Sequence, residues 1–501
     1  MKNKQLSQQY FNPKQLKLPL LLDIKIPFDS EVRTFDEIME GMRLENYIVA
    51  NLETRGRMSY NPVKMLKLIL FCQMEKIQSL REMAKAASHD IRIMWLTDEL
   101  KPSHQAIHNF IHKHLKVKIE TIFYDLNKLL IEKEKIDRTK LYIDGTKIES
   151  NANKYTFVWR GMVEKSREKL YQKITVLFKK MNEEYKYEKL YFPLYDIYDE
   201  THINSAIVFL ERAIEKAGID FVYGKGSRKT NLQRFYEQFV EYREKLSEYK
   251  EHLEIMGPNR NSYSKTDKDA TFMHMKDDHM RNSQLKPGYN LQIGVSDEYI
   301  LHFNLSAERN DYKTLIPFLE CYQEAYHHYP KYPVCDSGYG GLTNYRYLKI
   351  NDMELYTKYS LYEKDTKDKK RMNDPYLALN LKKNEKGNFI DPGGGTYQFL
   401  YRNKRGNDVY YVPSLGKNRE INEELVSYQK ETIQNLQSDL GIELRMQRSI
   451  QVEGAFGVIK EVFKLRRFRR VLTENVKLEF LLVAIGYNLA KFHNKRYRIT
   501  E

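Results

Sequence analysis

The chain has 501 residues, 83 basic and 68 acidic, giving a net charge of +15 and a pI near 9.2. That length carries several domains, and 41% hydrophobic with 30% charged residues excludes a disordered basic tail. The longest useful apolar run, Phe480 to Ala490, falls short of the roughly 20 residues a membrane helix needs. Leu18 to Leu22 is too short and too late for a secretory core, so a cytosolic protein is expected. Three cysteines, Cys72, Cys321 and Cys335, without a C-x-x-C pair, exclude a disulfide framework and a cysteine-based zinc site.

Residues 1–30 read as an irregular arm and residues 31–135 as helical. Asn61-Pro62 is a cap followed by an N1-type proline, and Ser79-Leu80-Arg81-Glu82 has capping-box spacing. Pro102-Ser103 opens a second short helix through His112 that carries Gln105, His108 and Asn109 on its polar side. Two short helices with a turn between them suggest a helix-turn-helix-like DNA reader; a plain helical bundle fits equally well.

Leu141-Tyr142-Ile143-Asp144 is a short β-type run ending on a carboxylate. Leu170, Ile174, Leu177 and Met181 then recur at helical spacing, as do Leu232, Phe235, Phe239, Tyr242, Leu246, Tyr249 and Leu253. These repeats are short, so an intramolecular helical hairpin is expected rather than a dimeric coiled coil. Tyr289–Val295 and Tyr299–Leu305 flank Ser296-Asp297-Glu298 as a hairpin. A helix at 315–322, a strand ending Val334-Cys335-Asp336, a Gly-rich turn, a helix at 344–350 and a strand at 354–358 follow. β pieces are expected near 396–401 and 409–412, and a final helical region near 449–494. The order predicts a mixed α/β core. Its expected parts are an arm (1–30), a helical DNA-binding domain (31–135), core segments (136–160 and 266–360) around a helical insertion (161–265), a β-containing insertion (361–435), and C-terminal core helices with a basic tail (436–501).

Asp144 and Asp336 each follow apolar strand residues and precede glycine within two positions. Open α/β sheets place their sites at that carboxyl edge; the alternative is an aspartate that caps its own turn. Glu453 lies beside an apolar stripe of Val452, Ala455, Ile459 and Val462, seven residues before Lys460, on one helical azimuth. An ordinary surface Glu with a Lys nearby is the alternative. Should the three acids converge, they make a hard oxygen site suited to two Mg²⁺ or Mn²⁺ ions, the arrangement that cleaves phosphodiesters. Lys460, Lys464, Arg466, Arg467, Arg469 and Arg470 face one acid, Glu461, within the segment. They read as a phosphate-contacting surface, against the alternative of a solvated helix end.

Four blocks then match a known family. Leu141–Glu149 with Asn151–Trp159, Asp336–Gly340 and Arg448–Lys460 resemble, in order, the three catalytic blocks of DDE transposases from bacterial insertion sequences, and the Thr266–Asn290 stretch containing Asp267, Asp269, Asp277 and Asp278 resembles the family's lead into its second strand. The IS-eleven-eighty-two group is the closest resemblance. Gly56-Arg57, Tyr60-Asn61-Pro62 and Asp90 through Leu96 resemble the helical N-terminal domain of the same family. The resemblance implies an RNase H-like core, with Asp144 on its first strand, Asp336 at the end of its fourth and Glu453 on a late helix, together holding two Mg²⁺ (or Mn²⁺) ions. It implies double-stranded DNA as partner, both element ends and target, a homodimer in the DNA complex, and DNA contacts that include Lys147, Trp159 and Arg448. The four acids at 267, 269, 277 and 278 read as loop or structural residues. Two features depart from the family. Many relatives carry cysteines before the third block, where Tyr410 to Gly416 has none, so no zinc is expected. Relatives also often carry an Arg four residues before the Glu and a Lys seven after it. Lys460 fits, but position 449 is serine and the nearest arginine is Arg448.

The expected function is therefore DNA transposition: binding of terminal inverted repeats, metal-dependent cleavage and strand transfer. The alternatives are a nuclease that cuts without joining and a DNA-binding protein without catalysis.

Overall fold

The computed structural model describes residues 22–48, 60–186, 191–224, 228–275 and 284–497. The Gly56-Arg57 match and the acids Asp277 and Asp278 lie outside the described residues.

The N-terminal part is helical: α1 (Leu22–Lys25), α2 (Glu31–Met42), α3 (Pro62–Met74), α4 (Leu80–His89), α5 (Ile91–Thr97), α6 (His104–Phe110) and α7 (Lys116–Glu134). Asn61 caps α3 as its sequence predicts, its side chain accepting from the Val63 and Lys64 N–H groups. Ser79 precedes α4 but makes no side-chain cap bond, so the expected capping box does not form. The expected pair of short helices is also corrected. A third helix, α5, stands between α4 and α6, and α6 does not stop at His112. It continues through a π-helical turn, Ile111–Leu115, into α7, because Ile111 and Leu115 are fully packed and hold the backbone helical.

The core begins with β1 (Lys140–Glu149) and β2 (Phe157–Trp159). β1 does not end on Asp144 as the sequence suggests; it runs five residues further. Gly145 is a strand residue opposite Gln292, and a Cβ there would stand 2.3 Å from the Gln292 amide. The glycine makes room for a crossing side chain instead of making a turn. The insertion comprises α8 (Arg160–Glu184), α9 (Glu200–Ala217) and α10 (Asn231–Met256). The helical repeats converge on a separate core that includes Leu170, Ile174, Leu177, Met181, Phe235, Phe239 and Leu246, joined by Ile203, Ile207 and Leu210 of α9. The hairpin expectation thus becomes three packed helices. β3 (Ser262–Ser264) pairs with β2, and β4 (Thr271–His274) joins the main sheet.

β5 (Leu285–Ser296) and β6 (Tyr299–Ser306) form the expected hairpin; its two-residue turn holds Asp297 and Glu298 at φ 46° and 69°. α11 (Leu315–Tyr326), β7 (Tyr332–Val334) and α12 (Leu342–Ile350) follow. The sheet order is β4-β5-β1-β7 with β6 also on β5; β1 is antiparallel to β5 and parallel to β7. This mixed α/β sheet with a preceding helical region is consistent with the RNase H-like core expected above. The strand expected at 354–358 does not form. Glu354 N–H reaches Lys331 O, but the next rung of a parallel ladder needs the amide of residue 333, which is proline and has no N–H.

α13 (Tyr362–Lys367) and α14 (Lys369–Met372) lead to a three-stranded antiparallel unit, β8 (Gln398–Arg402), β9 (Asp408–Val412) and β10 (Lys417–Ile421), with its own small core around Phe389, Tyr397 and Val412. α15 (Glu423–Gln437) and α16 (Asp439–Arg448) follow, then a π turn (Ser449–Glu453), α17 (Gly454–Gly457), a second π turn (Val458–Val462), and α18 (Thr473–Tyr497). α18 carries the apolar run noted above and is buried nearly all round, wedged among α2, α3, α7 and β6. A helix apolar on every side is a core helix in a large protein. Among the described residues, no helix is long and apolar enough to cross a membrane.

Candidate active site and nucleic-acid interface

Parallel pairing of β1 and β7 aligns Tyr142 with Val334. Two residues further along each chain stand Asp144, within β1, and Asp336, in the turn that follows β7. Asp144 is half-buried; its Oδ1 accepts from Gly145 N–H at 2.7 Å and its Oδ2 from the Arg448 guanidinium at 3.2 Å. Its side chain is only 13% exposed and that of Arg448 19%, so the pair is shielded from water. Asp336 Oδ1 accepts from Gly338 N–H at 2.8 Å, so this aspartate also initiates its own turn. Beneath them, burial pushes the Cys335 thiol up to about 12, with Asp336 and Asp144 adding to the shift and Arg448 opposing it.

The helix bearing Glu453 packs its first π turn against β1 and β5, with Val452 fully buried and Glu453 exposed. The one-residue departure in the Arg–Glu spacing has a structural counterpart. A π turn closes i→i+5, so residue 448 stands relative to 453 much as residue 449 would in an unbroken α-helix. The structure joins Asp144 to Arg448 and sets both, with Asp336, within electrostatic reach of Cys335, but the described residues do not close a three-carboxylate set. Among the described residues, no three His, Cys, Asp or Glu side chains are grouped to hold an ion. The two aspartates are oxygen donors of the kind hard divalent cations take.

One acid was missed by the sequence reading. Asp311, before α11, receives Asn290 Nδ2 at 2.8 Å and Gln292 Nε2 at 3.0 Å on its Oδ1. A Cβ on Gly338 would stand 3.0 Å from the Asp336 carboxylate and 3.5 Å from that of Asp311, so the two acids flank this glycine. The Gln292 carbonyl in turn accepts from Tyr339 Oη. Burial raises the Tyr339 hydroxyl well above its ordinary value, and Asp311, Asp144 and Asp336 push the same way. Asn310-Asp311 before a helix looks like an ordinary cap, so no local signal marks it.

The basic segment is not a helix end beyond residue 462. It forms an irregular crossing between helices, its Arg467 bridged to Glu149 beside the end of β1. Glu479 of α18 holds the crossing, its carboxylate accepting the Arg469 and Arg470 backbone N–H groups at 3.1 Å. Lys464 and Arg469 are exposed and Lys460 half-buried. Arg466 pairs with Glu461, and Arg467 contacts Ser150 O and Glu149. Arg470 meets His112 Nε2 at 3.0 Å. Burial lowers the His112 pKa, and the Arg470 charge adds to this, so the ring accepts. The His112 ring lies against that of His108, centres 4.4 Å apart and tilted by 41°, and Gln105, His108 and Asn109 are exposed on α6. The crossing and the polar face of α6 are therefore neighbours. Lys147 is half-buried on β1. Trp159, also half-buried, packs against Phe157 and Phe272.

Asp267 and Asp269 are structural, as expected. Asp267 is fully buried and accepts from Ser150 Oγ, from Tyr289 Oη at 2.9 Å and from Leu472 N–H at 3.1 Å. Asp269 accepts from Thr473 N–H at 2.8 Å at the start of α18.

Comparison with known families gives two matches. Residues 20–113 match the model of a transposase domain described as DUF772, and residues 412–493 match a transposase DDE domain. No curated protein and no solved structure matches. Two transposase-domain matches, one over the N-terminal helices and one over the late helices that carry Glu453, support a DDE transposase of the insertion-sequence type.

Proposed function

We propose that this chain is a transposase of the IS-eleven-eighty-two group that binds the terminal inverted repeats of its element, cleaves at the element end and joins the freed 3′-OH to target DNA. The observation that supports the reading is the parallel β1–β7 register, with Asp144 and Asp336 each two residues beyond the Tyr142–Val334 pair, and the Arg448–Asp144 ion pair. Asp144, Asp336 and Glu453 are the carboxylates that would hold two Mg²⁺ or Mn²⁺ ions. Such ions, when bound, would activate the attacking oxygen and stabilise the leaving one. Arg448 balances the Asp144 charge and stands ready to meet a phosphate. Lys460, Lys464, Arg469 and the polar face of α6 carrying Gln105, His108 and Asn109 would hold the duplex, with Lys147 and Trp159 adding contacts. Water attacks phosphorus and the 3′-oxygen leaves. That 3′-OH then attacks a target phosphodiester, whose own 3′-oxygen departs, so no covalent protein intermediate is needed. Pairing of two ends suits a dimer on DNA.

The test is Mg²⁺-dependent cleavage of DNA carrying the element's ends, wild type beside Asp336→Asn. Cleavage should vanish in the variant while DNA binding persists. A variant that cuts as well as wild type refutes the assignment of Asp336. Joining of pre-cut ends separates a transposase from a nuclease.

A further inference from the structure

The three-helix insertion has an uneven charge distribution that its own packing does not explain. Between residues 165 and 180, α8 carries Lys165, Arg167, Lys169, Lys173, Lys179 and Lys180 against one acid, Glu168. Neighbouring α10 reverses this, with acids at 237, 241, 244, 248, 251 and 254 against four cations. The two sets do not neutralise each other. Glu237 pairs with Lys229, Glu241 with Lys245, Glu248 with His252 and Glu251 with Lys268.

Lys165, Lys169, Lys173 and Lys180 fall on one stripe of α8, spanning about 22 Å at 1.5 Å per residue. All four are exposed, and none forms an ion pair among the described residues. Lys169, Lys173 and Lys180 border a cleft of about 520 Å³ whose α10 wall is Gln238 and Tyr242. Like charges at i, i+4 and i+8 cost a helix a few tenths of a kcal/mol per pair. An anion supplied from outside reverses that cost.

We propose that the α8 lysine stripe is a second DNA-binding face, gripping the phosphate backbone of duplex DNA without reading its sequence. The occupant follows from charge and length. An extended polyanion has a phosphate within reach of each lysine along such a stripe, whereas a small anion engages one or two. Point-charge ammonium groups on flexible stems suit phosphates and carry no base code. The inference rests on the transposase reading for the presence of DNA, but it concerns a different part of the chain.

The experiment uses the full chain and fluorescence anisotropy with two duplexes, one an element end and one unrelated, across a salt series. One variant changes Lys165, Lys169, Lys173 and Lys180 to Gln. A charge-matched control changes Arg212, Lys216, Arg234 and Lys250, exposed residues of α9 and α10, to Gln. Circular dichroism checks that both fold. Four lost phosphate contacts should lower the slope of log affinity against log salt by about 3 to 4 and weaken binding at least tenfold on both duplexes, with the control within twofold of wild type. Equal losses in both variants, no loss in the stripe variant, or a loss confined to one duplex overturns the stripe. A wild-type chain that binds neither duplex overturns the DNA reading itself, and wild-type binding untouched by the stripe variant leaves that reading standing.

Discussion

Asn488 fastens the DDE-matched helix to the sheet, and replacing it by alanine should be among the costliest single changes in the chain. Its side chain is fully buried. Nδ2 donates to Ile300 O at 2.9 Å and to Asn127 Oδ1 at 2.8 Å, and Oδ1 accepts Ile300 N–H at 2.9 Å. Among the described residues β6 has a strand neighbour only in β5, so this amide stands in for a further strand along β6. Truncation leaves the Ile300 N–H and Asn127 Oδ1 without these partners, while Ile300 O keeps Asn127 Nδ2 at 3.2 Å. Two orphaned buried groups at about 1–3 kcal/mol each predict a loss of about 2–6 kcal/mol, a large share of a typical 5–15 kcal/mol. Urea unfolding followed by Trp95, which packs on the main core, measures it. A double-mutant cycle with Asn127→Ala should show strong coupling, since the two amides share one network. A loss below about 1 kcal/mol, or unchanged hydrogen-exchange protection of the Ile300 amide, refutes the reasoning.

Burial holds the His302 pKa down to about 3, and Tyr124 Oη meets its Nδ1 at 2.8 Å. Between about pH 6.5 and 3 the unfolded chain binds a proton that the folded chain refuses. Stability should therefore fall as pH falls through that window, by up to about 1.4 kcal/mol per unit. His302→Gln should flatten this part of a urea-stability profile; superimposable profiles contradict it. Gly340→Ala should disturb the turn after Asp336, because its Cβ would stand 2.2 Å from Lys358 O. A cost of about 1–3 kcal/mol and weakened cleavage are expected, whereas Gly454→Ala, with nothing within 4 Å, should leave the melting temperature nearly unchanged. A Gly340→Ala chain that melts and cuts like wild type refutes the close contact.

Local periodicity made much of the architecture readable. The repeats at 170–181 and 232–253 bury one face, so their helices follow from spacing, whereas α9, which completes their core, does not. The cap at Asn61, the hairpin at 285–306 and the strand before Asp336 are equally local, since each needs only neighbours within a few residues. What failed locally failed because distant residues intervene. Gly145 read as a turn until Gln292, across the sheet, claimed the space above it. The strand expected at 354–358 was stopped by the missing amide of Pro333 in another segment. The Ser79 box had its spacing but not its bond.

The candidate site divides the same way. Asp144, Asp336 and Glu453 stand out in the sequence through the order of the blocks that carry them. Their mutual placement is a tertiary matter. Arg448 meets Asp144 across 304 residues, and a π turn sets the azimuth of Arg448 against Glu453. Asp311 and Asp336 come to flank Gly338 only in the folded chain. Composition, periodicity and motif order determined which elements and which acids this protein has. Only the fold decided which of them touch, because contacts between residues hundreds of positions apart arise from packing the two faces of one sheet, and no local spacing encodes that.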